Sequence, residues 1–396
     1  MPRAYPFGPP DRLEIDPGYA WVREHEPLAR VRMAYGEPAW LVTRYDDVRM
    51  VYTDPRFSRA MAVNPDVPRP YPEPIAGGIS DLDPPDHTRL RRLVGQAFTA
   101  RRTERLRPRV EEITAGLLDR MVAGGPPADL VEALAVALPS IVVCELLGVP
   151  YGDRDTFRTW TDSYMTTTGL PIEDKLENLG RLGGYLGELA ARRREHPTDD
   201  LIGALVRARD ERDQLTEPEL VGFTMTLLAA GYETTASQIA NFTYTLLTHP
   251  DQLALLRAGA VDVADAVEEL LRYVPLTAGT ILPRYARADV ELSGGTVRAG
   301  EPVFGVTEAA DRDPRVFADP DRLDLARAFR PDRPHLAFAL GTHFCTGAQL
   351  ARTELRAALT ALLGRCPDLR LAVPTGEVAW KDGTVVRGPV ALPVAW

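Results

Sequence analysis

Cys345 lies in the run F-A-L-G-T-H-F-C-T-G-A-Q-L-A-R, residues 338–352. Gly341 and Gly347 allow tight turns and close approach of the backbone to a flat ligand. From Ala348 onward the residues suit a helix, with Leu350, Leu355 and Leu359 on one apolar face. The thiol therefore sits just ahead of a helix N-terminus. Unpaired N–H groups and the positive end of the helix dipole favour the thiolate there, and a thiolate is a good ligand for iron. A free cysteine is usually a small buried hydrophobe. The company of Phe338, Gly341, His343 and Gly347 points Cys345 away from that role.

A second chemical stretch is A-A-G-Y-E-T-T, residues 229–235. The signals around it predict one long helix. Thr216 and Glu219 form a T-x-x-E capping box, Pro218 is tolerated in the first turn, and Pro250 stops the run after about Leu247. That is roughly 30 residues, or about 45 Å. Glycine inside a helix costs about 1 kcal/mol against alanine, and paired threonines can bond back to the preceding turn and bend it. The stretch reads either as a site carrying the acid Glu233 and the hydroxyl of Thr234, or as a local kink with a surface-facing glutamate.

Charged pairs supply the third set. Glu269 and Arg272 lie three apart on one helical face, in an apolar helix stopped by Pro275. Glu104 and Arg107 share that spacing, but in a charged segment. His87 and Arg91 are placed i,i+4. Residues 89–109 hold eight arginines and one acid, Glu104. That run is either a solvated helix face or a surface that steers an acidic partner.

The elements that must position these groups follow from patterning. Ala39–Val42 reads as a strand, and a helix begins at Tyr45. Residues 60–85, with seven prolines, form a long loop. The chain is mostly helical from 85 to about 275. Short strands follow over 280–285, 290–292 and 303–306, with a turn at 293–295, and residues 383–396 are extended. The first 20 residues or so read as an irregular arm.

Composition bounds the chemistry. With 396 residues, 45% of them hydrophobic and 26% charged, the chain can bury a large cofactor. A net charge of −10 argues against nucleic acid as a general partner. The three cysteines, Cys144, Cys345 and Cys366, form no C-x-x-C pair. They support neither a structural zinc site nor a disulfide scaffold, and they fit a reducing cytosol. The N-terminus has no apolar core of signal-peptide length, and no span of about 20 apolar residues occurs. A cytoplasmic chain without a membrane partner is expected.

The pattern F-x-x-G-x-H-x-C-x-G, carried by Phe338, Gly341, His343, Cys345 and Gly347, resembles the haem-binding loop of the cytochrome P-450 family, whose cysteine is the proximal iron ligand. Further stretches agree in order and spacing from about Ala39 to the terminus. A-G-Y-E-T-T is similar to the family's oxygen-activation segment and puts Glu233 and Thr234 at its acid–alcohol pair. E-L-L-R places Glu269 and Arg272 at the structural E-x-x-R pair. F-A-D-P-D-R-L, residues 317–323, resembles the segment whose arginine, here Arg322, completes that cluster. D-P-P-D-H-T-R-L-R, residues 83–91, resembles the helix that gives His87 and Arg91 to the haem propionates, and Arg284 and His343 match two further propionate contacts. Haem carries two carboxylates that need cationic partners once buried. Two departures stand out: Ala339 where the family usually has glycine, and Asp311 where it usually has asparagine.

The resemblance implies a mainly α fold with small β regions, one domain over 1–396, and a long central helix over a buried haem. It implies haem b (iron protoporphyrin IX) held by Cys345, with Phe338, Gly347 and Ala230 also in the cofactor site. It implies a monomeric monooxygenase that takes O₂, with electrons from NAD(P)H through ferredoxin reductase and ferredoxin. It implies a small hydrophobic natural product as substrate (a polyketide, macrolide, terpenoid or peptide), in a pocket lined by the 60–85 loop, Leu227, Thr277, Ala278 and Val385. The same fold could instead serve a haem-bound recruitment or carrier protein, or a peroxide-driven oxygenase.

Overall fold

The computed structural model describes residues 1–8, 11–70, 78–95, 98–165, 170–211, 215–277 and 282–396. The chain packs into two compact units, each assembled from distant segments: Met1–Asp83 with Gly259–Cys345, and Pro84–Ala258 with Thr346–Trp396. No helix among the described residues is long and apolar enough to cross a membrane.

The first unit is built on a six-stranded sheet. Its order is Arg3–Ala4, Leu28–Arg32, Ala39–Val42, Pro302–Gly305, Arg284–Ala286 and Phe57–Ser58. Ala39–Val42 pairs antiparallel with Leu28–Arg32 and parallel with Pro302–Gly305, Trp40 lying opposite Val303. The helix Tyr45–Thr53 turns Tyr45, Val48 and Val51 onto the core formed by Val42, Phe57, Ala286 and Val303. That spacing of three is one apolar helical stripe. The expected irregular arm is more ordered than its prolines suggest. Arg3–Ala4 joins the sheet edge, and Pro17 opens a helix, Pro17–His25, capped by Asp16 accepting from Gly18 N at 2.7 Å. Proline at the first helical position costs nothing, because its missing N–H would have had no helical partner.

A buried ion cluster fixes the meander that follows the sheet. Glu269 and Arg272 have fully buried side chains, with two parallel bonds of 2.8 Å between carboxylate and guanidinium. Arg272 Nη1 also donates to Asp311 O and Pro320 O, both at 2.8 Å, and Nη2 donates to Arg322 O at 3.3 Å. Glu269 accepts Asp324 N at 3.0 Å. The third charge comes from Arg327, whose Nε donates to Glu269 Oε2 at 3.0 Å. This corrects the assignment of Arg322, which contributes only its carbonyl and leaves its side chain exposed. The turn at Asp319–Arg322 points carbonyls inward, and Arg327 folds back onto them from beyond the turn through Ala318 O at 2.6 Å.

Asp311 is fully buried, and Oδ1 accepts Leu336 N at 2.8 Å. Burial holds its carboxyl well above the usual carboxylate range, against the pull of that hydrogen bond and Arg272. The carboxyl matches the side-chain amide of asparagine in shape, and burial favours its uncharged form.

The second unit is helical. Its axis is Glu217–Thr248, 32 residues long, with both halves of the capping box made: Thr216 N donates to Glu219 Oε2 at 2.6 Å, and Glu219 N to Thr216 Oγ1 at 3.3 Å. From Thr235 to Leu246 every residue is buried, as expected of a helix that is covered on all sides. Ala137–Leu147 packs on it, and Ala348–Arg365 runs along Ala100–Gly124. The extended C-terminal segment forms a hairpin with Trp380 bridged to Pro389. Its strand Pro393–Ala395 then pairs with Arg370–Leu371 and Ala128–Asp129.

Arg327→Ala leaves part of a buried carboxylate unpartnered, and it is expected to cost about 3–5 kcal/mol in urea unfolding. Arg322→Ala should cost under about 1 kcal/mol. Equal losses would put Arg322 back in the cluster.

Candidate active site

In the first unit the loop before Cys345 is held by its own backbone. Ala339 N donates to Leu336 O at 2.8 Å, Phe344 N to Gly341 O at 3.0 Å, and Cys345 N to Phe338 O at 3.0 Å. Gly341 has φ +69°, and a Cβ there would lie 2.4 Å from Tyr52 O. Only glycine fits. Ala339 adopts φ +55°, so the alanine that departs from the family pattern occupies a left-handed backbone position that disfavours its methyl group. Phe338 is half-buried and meets Phe344 edge-on, ring centroids 6.4 Å apart. Cys345 is exposed and His343 half-buried.

Arg284, in the same unit, is 5% exposed, with its guanidinium over the Tyr52 ring at 4.7 Å. It makes no ion pair among the described residues. Burial pulls its pKa down to about 10. A buried cation in contact with an aromatic face and no carboxylate suits a ligand that brings its own carboxylate. Thr277 is half-buried and its hydroxyl donates to Glu308, which also accepts from Thr307 Oγ1 at 3.2 Å. Ala278 lies outside the described residues.

In the second unit His87 is 2% exposed in the helix Asp86–Gly95. Arg91, one turn on, donates from Nη1 to Thr346 Oγ1, while Arg89 between them pairs with Glu219. Gly347 is half-buried, and a Cβ there would meet nothing within 4 Å. On the long helix, Ala230 and Gly231 are exposed although Leu228, Ala229, Tyr232 and Glu233 are buried. An opening of two small residues in a buried helix fits the approach of a flat ligand. Leu227 and Val385 are both half-buried.

The polar pair has a definite arrangement. Thr234 Oγ1 donates to Ala230 O at 2.6 Å, and the helix continues unbroken through both residues. Glu233 is 7% exposed and ion-paired with Lys381. The reading as a kink with a surface-facing glutamate therefore fails. Sequence reasoning missed Lys381; nothing local marks it, since its partner is 148 residues away.

In the first unit, the exposed Cys345 thiol suits iron, and the buried Arg284, with no ion pair among the described residues, suits an acidic substituent; in the second unit, the small-residue opening suits a flat ring. Comparison with known proteins agrees. The cytochrome P450 family model matches residues 183–259 and 263–372. The mycinamicin IV hydroxylase/epoxidase of Micromonospora griseorubida is 50% identical over 395 residues, covering 100% of this chain and 99% of the relative. Nocardicin C N-oxygenase of Nocardia uniformis subsp. tsuyamanensis is 50% identical, covering 100% and 98%. The crystal structure of the LnmA cytochrome P450 hydroxylase, from the leinamycin biosynthetic pathway of Streptomyces atroolivaceus, superposes with a TM-score of 0.92 at 52% identity over the whole of both chains. The chain belongs to the cytochrome P450 family, with the family's mainly helical fold and small sheets. It is a haem-thiolate monooxygenase whose cofactor is iron protoporphyrin IX.

Gly341→Ala should disturb the cysteine loop without touching any functional group. The left-handed backbone alone costs about 1–2 kcal/mol, and contact with Tyr52 O adds to it. Thermal unfolding and haem content should both fall, whereas unchanged values would show that the loop can shift away from Tyr52.

Proposed function

We propose that this monooxygenase hydroxylates or epoxidises a hydrophobic natural product, of the polyketide, macrolide, terpenoid or peptide kind, in secondary metabolism. The relatives named for mycinamicin IV, nocardicin C and leinamycin support the reading. So do the residues assigned to the substrate, Leu227, Thr277 and Val385, with Ala278 between them in sequence: a mainly apolar set with one hydroxyl. We read the whole chain as one catalytic domain, because the mycinamicin and nocardicin relatives match it over 99% and 98% of their length.

When bound, haem supplies the chemistry that splits O₂: one oxygen atom enters the substrate, and the other leaves as water with two electrons and two protons. The observation that carries the residue roles is the exposed Cys345 thiol on a loop fixed by Gly341, ahead of a helix N-terminus. Cys345 would bind the iron through its thiolate; Arg284, His343, His87 and Arg91 would hold the propionates, and Phe338, Gly347 and Ala230 would complete the cofactor site. Thr234 already donates its proton to Ala230 O. Its oxygen lone pairs are therefore what it offers to a water on the distal side. Glu233 passes protons toward that water.

Electrons come from NAD(P)H through ferredoxin reductase and an acidic ferredoxin. Arg92, Arg101 and Arg105 make no ion pair among the described residues, whereas Arg89, Arg107 and Arg109 are matched by glutamates. The unmatched three leave this stretch with positive charge that attracts a negative partner. The protein works as a monomer in the cytoplasm.

Cys345→Ala should abolish the far-red-shifted carbon monoxide band of the reduced protein; retention of that band would mean another axial ligand. Thr234→Ala should still consume NAD(P)H and O₂ but release more hydrogen peroxide per NAD(P)H. The compound for this assay is chosen by a binding-spectrum screen of macrolides, polyketides, terpenoids and peptides. An unchanged peroxide share would show that the hydroxyl is not needed.

A further inference from the structure

The half of the long helix that follows the active-site opening is joined to the C-terminal hairpin along a single face. Glu233, Ser237, Asn241 and Tyr244 recur at helical spacing, and each meets the hairpin. The Lys381 ammonium bonds the Glu233 carboxylate and donates to Ser237 Oγ at 3.2 Å. Gly388 comes so close to the same serine that a Cβ there would lie 3.1 Å from Oγ. Asn241 Nδ2 donates to Arg387 O at 3.0 Å. The Tyr244 and Trp380 rings meet edge-on, centroids 5.0 Å apart. The hairpin is closed on itself by Lys381 N to Gly388 O at 2.9 Å and Val390 N to Ala379 O at 2.8 Å.

Lys381 thus stands at a defined place. Its side chain is 20% exposed and that of Glu233 is 10% exposed, so the ion pair is largely shielded from solvent. A carboxylate of this burial would sample several rotamers if only water faced it; an ion pair and a rigid hairpin select one. The hairpin is anchored at Ser237, Asn241 and Tyr244 independently of the charge, so removing the charge need not release it.

We propose that Lys381 is the positioning residue of the distal acid, fixing the Glu233 carboxylate in the orientation from which it delivers protons. Lys381 touches neither substrate nor haem in this role. The inference rests on the assignment of Glu233 as proton carrier. Ser237 accepts from the same ammonium and Gly388 O accepts from the Lys381 backbone N–H, so that the acid and the hairpin that bears Val385 are held together.

The test uses ferric holoenzyme carrying Lys381→Met, Lys381→Arg, Glu233→Gln, or both Lys381→Met and Glu233→Gln. The first readout is O₂ uptake with a plant-type ferredoxin, ferredoxin reductase and NADPH, as a function of pH and in D₂O against H₂O. Lys381→Met should shift the pH profile and solvent isotope effect as Glu233→Gln does and slow uptake by about tenfold. Lys381→Arg should restore both, and the double variant should be no slower than Glu233→Gln. A Lys381→Met protein with the wild-type profile and isotope effect, beside an altered Glu233→Gln, overturns the proposal. The second readout needs no turnover: a double-mutant cycle in the thermal unfolding of the wild type, Lys381→Met, Glu233→Gln and the double variant. If Glu233→Gln leaves uptake unchanged, the proton-carrier assignment fails by itself. The clamp then stands on a non-additive shift in unfolding temperature and falls on an additive one. If Lys381→Met does not load haem, Lys381→Gln takes its place under the same criteria.

Discussion

Two charges without access to water, Glu269 and Arg272, hold the first unit in register. A buried pair of this kind is stable only when every remaining donor and acceptor is met, and here the partners are mostly backbone. Arg272 collects the carbonyls of Asp311, Pro320 and Arg322, while Glu269 collects the amide of Asp324 and the guanidinium of Arg327. A segment with no regular structure is thereby fixed at points more than ten residues apart. From that framework Asp311 sets Leu336, and Tyr45 holds Pro334 O at 2.7 Å. The chain then enters the cysteine loop at a determined place. The thiol's position is in this sense the far end of an electrostatic anchor that never touches it.

Much of this was legible in the sequence where the signal is local. The capping box at Thr216 and Glu219 located the start of the long helix to the residue. A short run of four apolar residues marked Ala39–Val42, and spaced glycines marked the turns around Cys345. The motif order identified the family before any coordinates did. Even the oddity at Ala339 was visible as a departure, and it proved to be a positive-φ position.

What was not legible depends on direction and distance. A motif says that an arginine near residue 322 completes the charge cluster; it does not say which way the turn presents its side chains. That choice falls to Arg327 because carbonyls, not side chains, face inward at 319–322. The upward shift of the Asp311 carboxyl likewise follows from burial, which a residue letter does not carry. Lys381 was invisible for a third reason. It belongs to an extended stretch with no motif of its own, and its meaning comes from a helix far back in the chain.

The sheet has a consequence for the birth of the molecule. Its first three strands come from the first 42 residues, but the strand that completes Ala39–Val42 is Pro302–Gly305, and Trp40 finds its carboxylate partner Glu301 only 261 residues later. At about 5–20 residues per second, the ribosome takes roughly 10–50 s to make up that distance. Throughout this interval an apolar strand edge stands without its neighbour in the nascent chain, the kind of edge that recruits other chains. Any stall in translation before residue 305 leaves this edge open, an exposure that the mainly helical composition would not suggest.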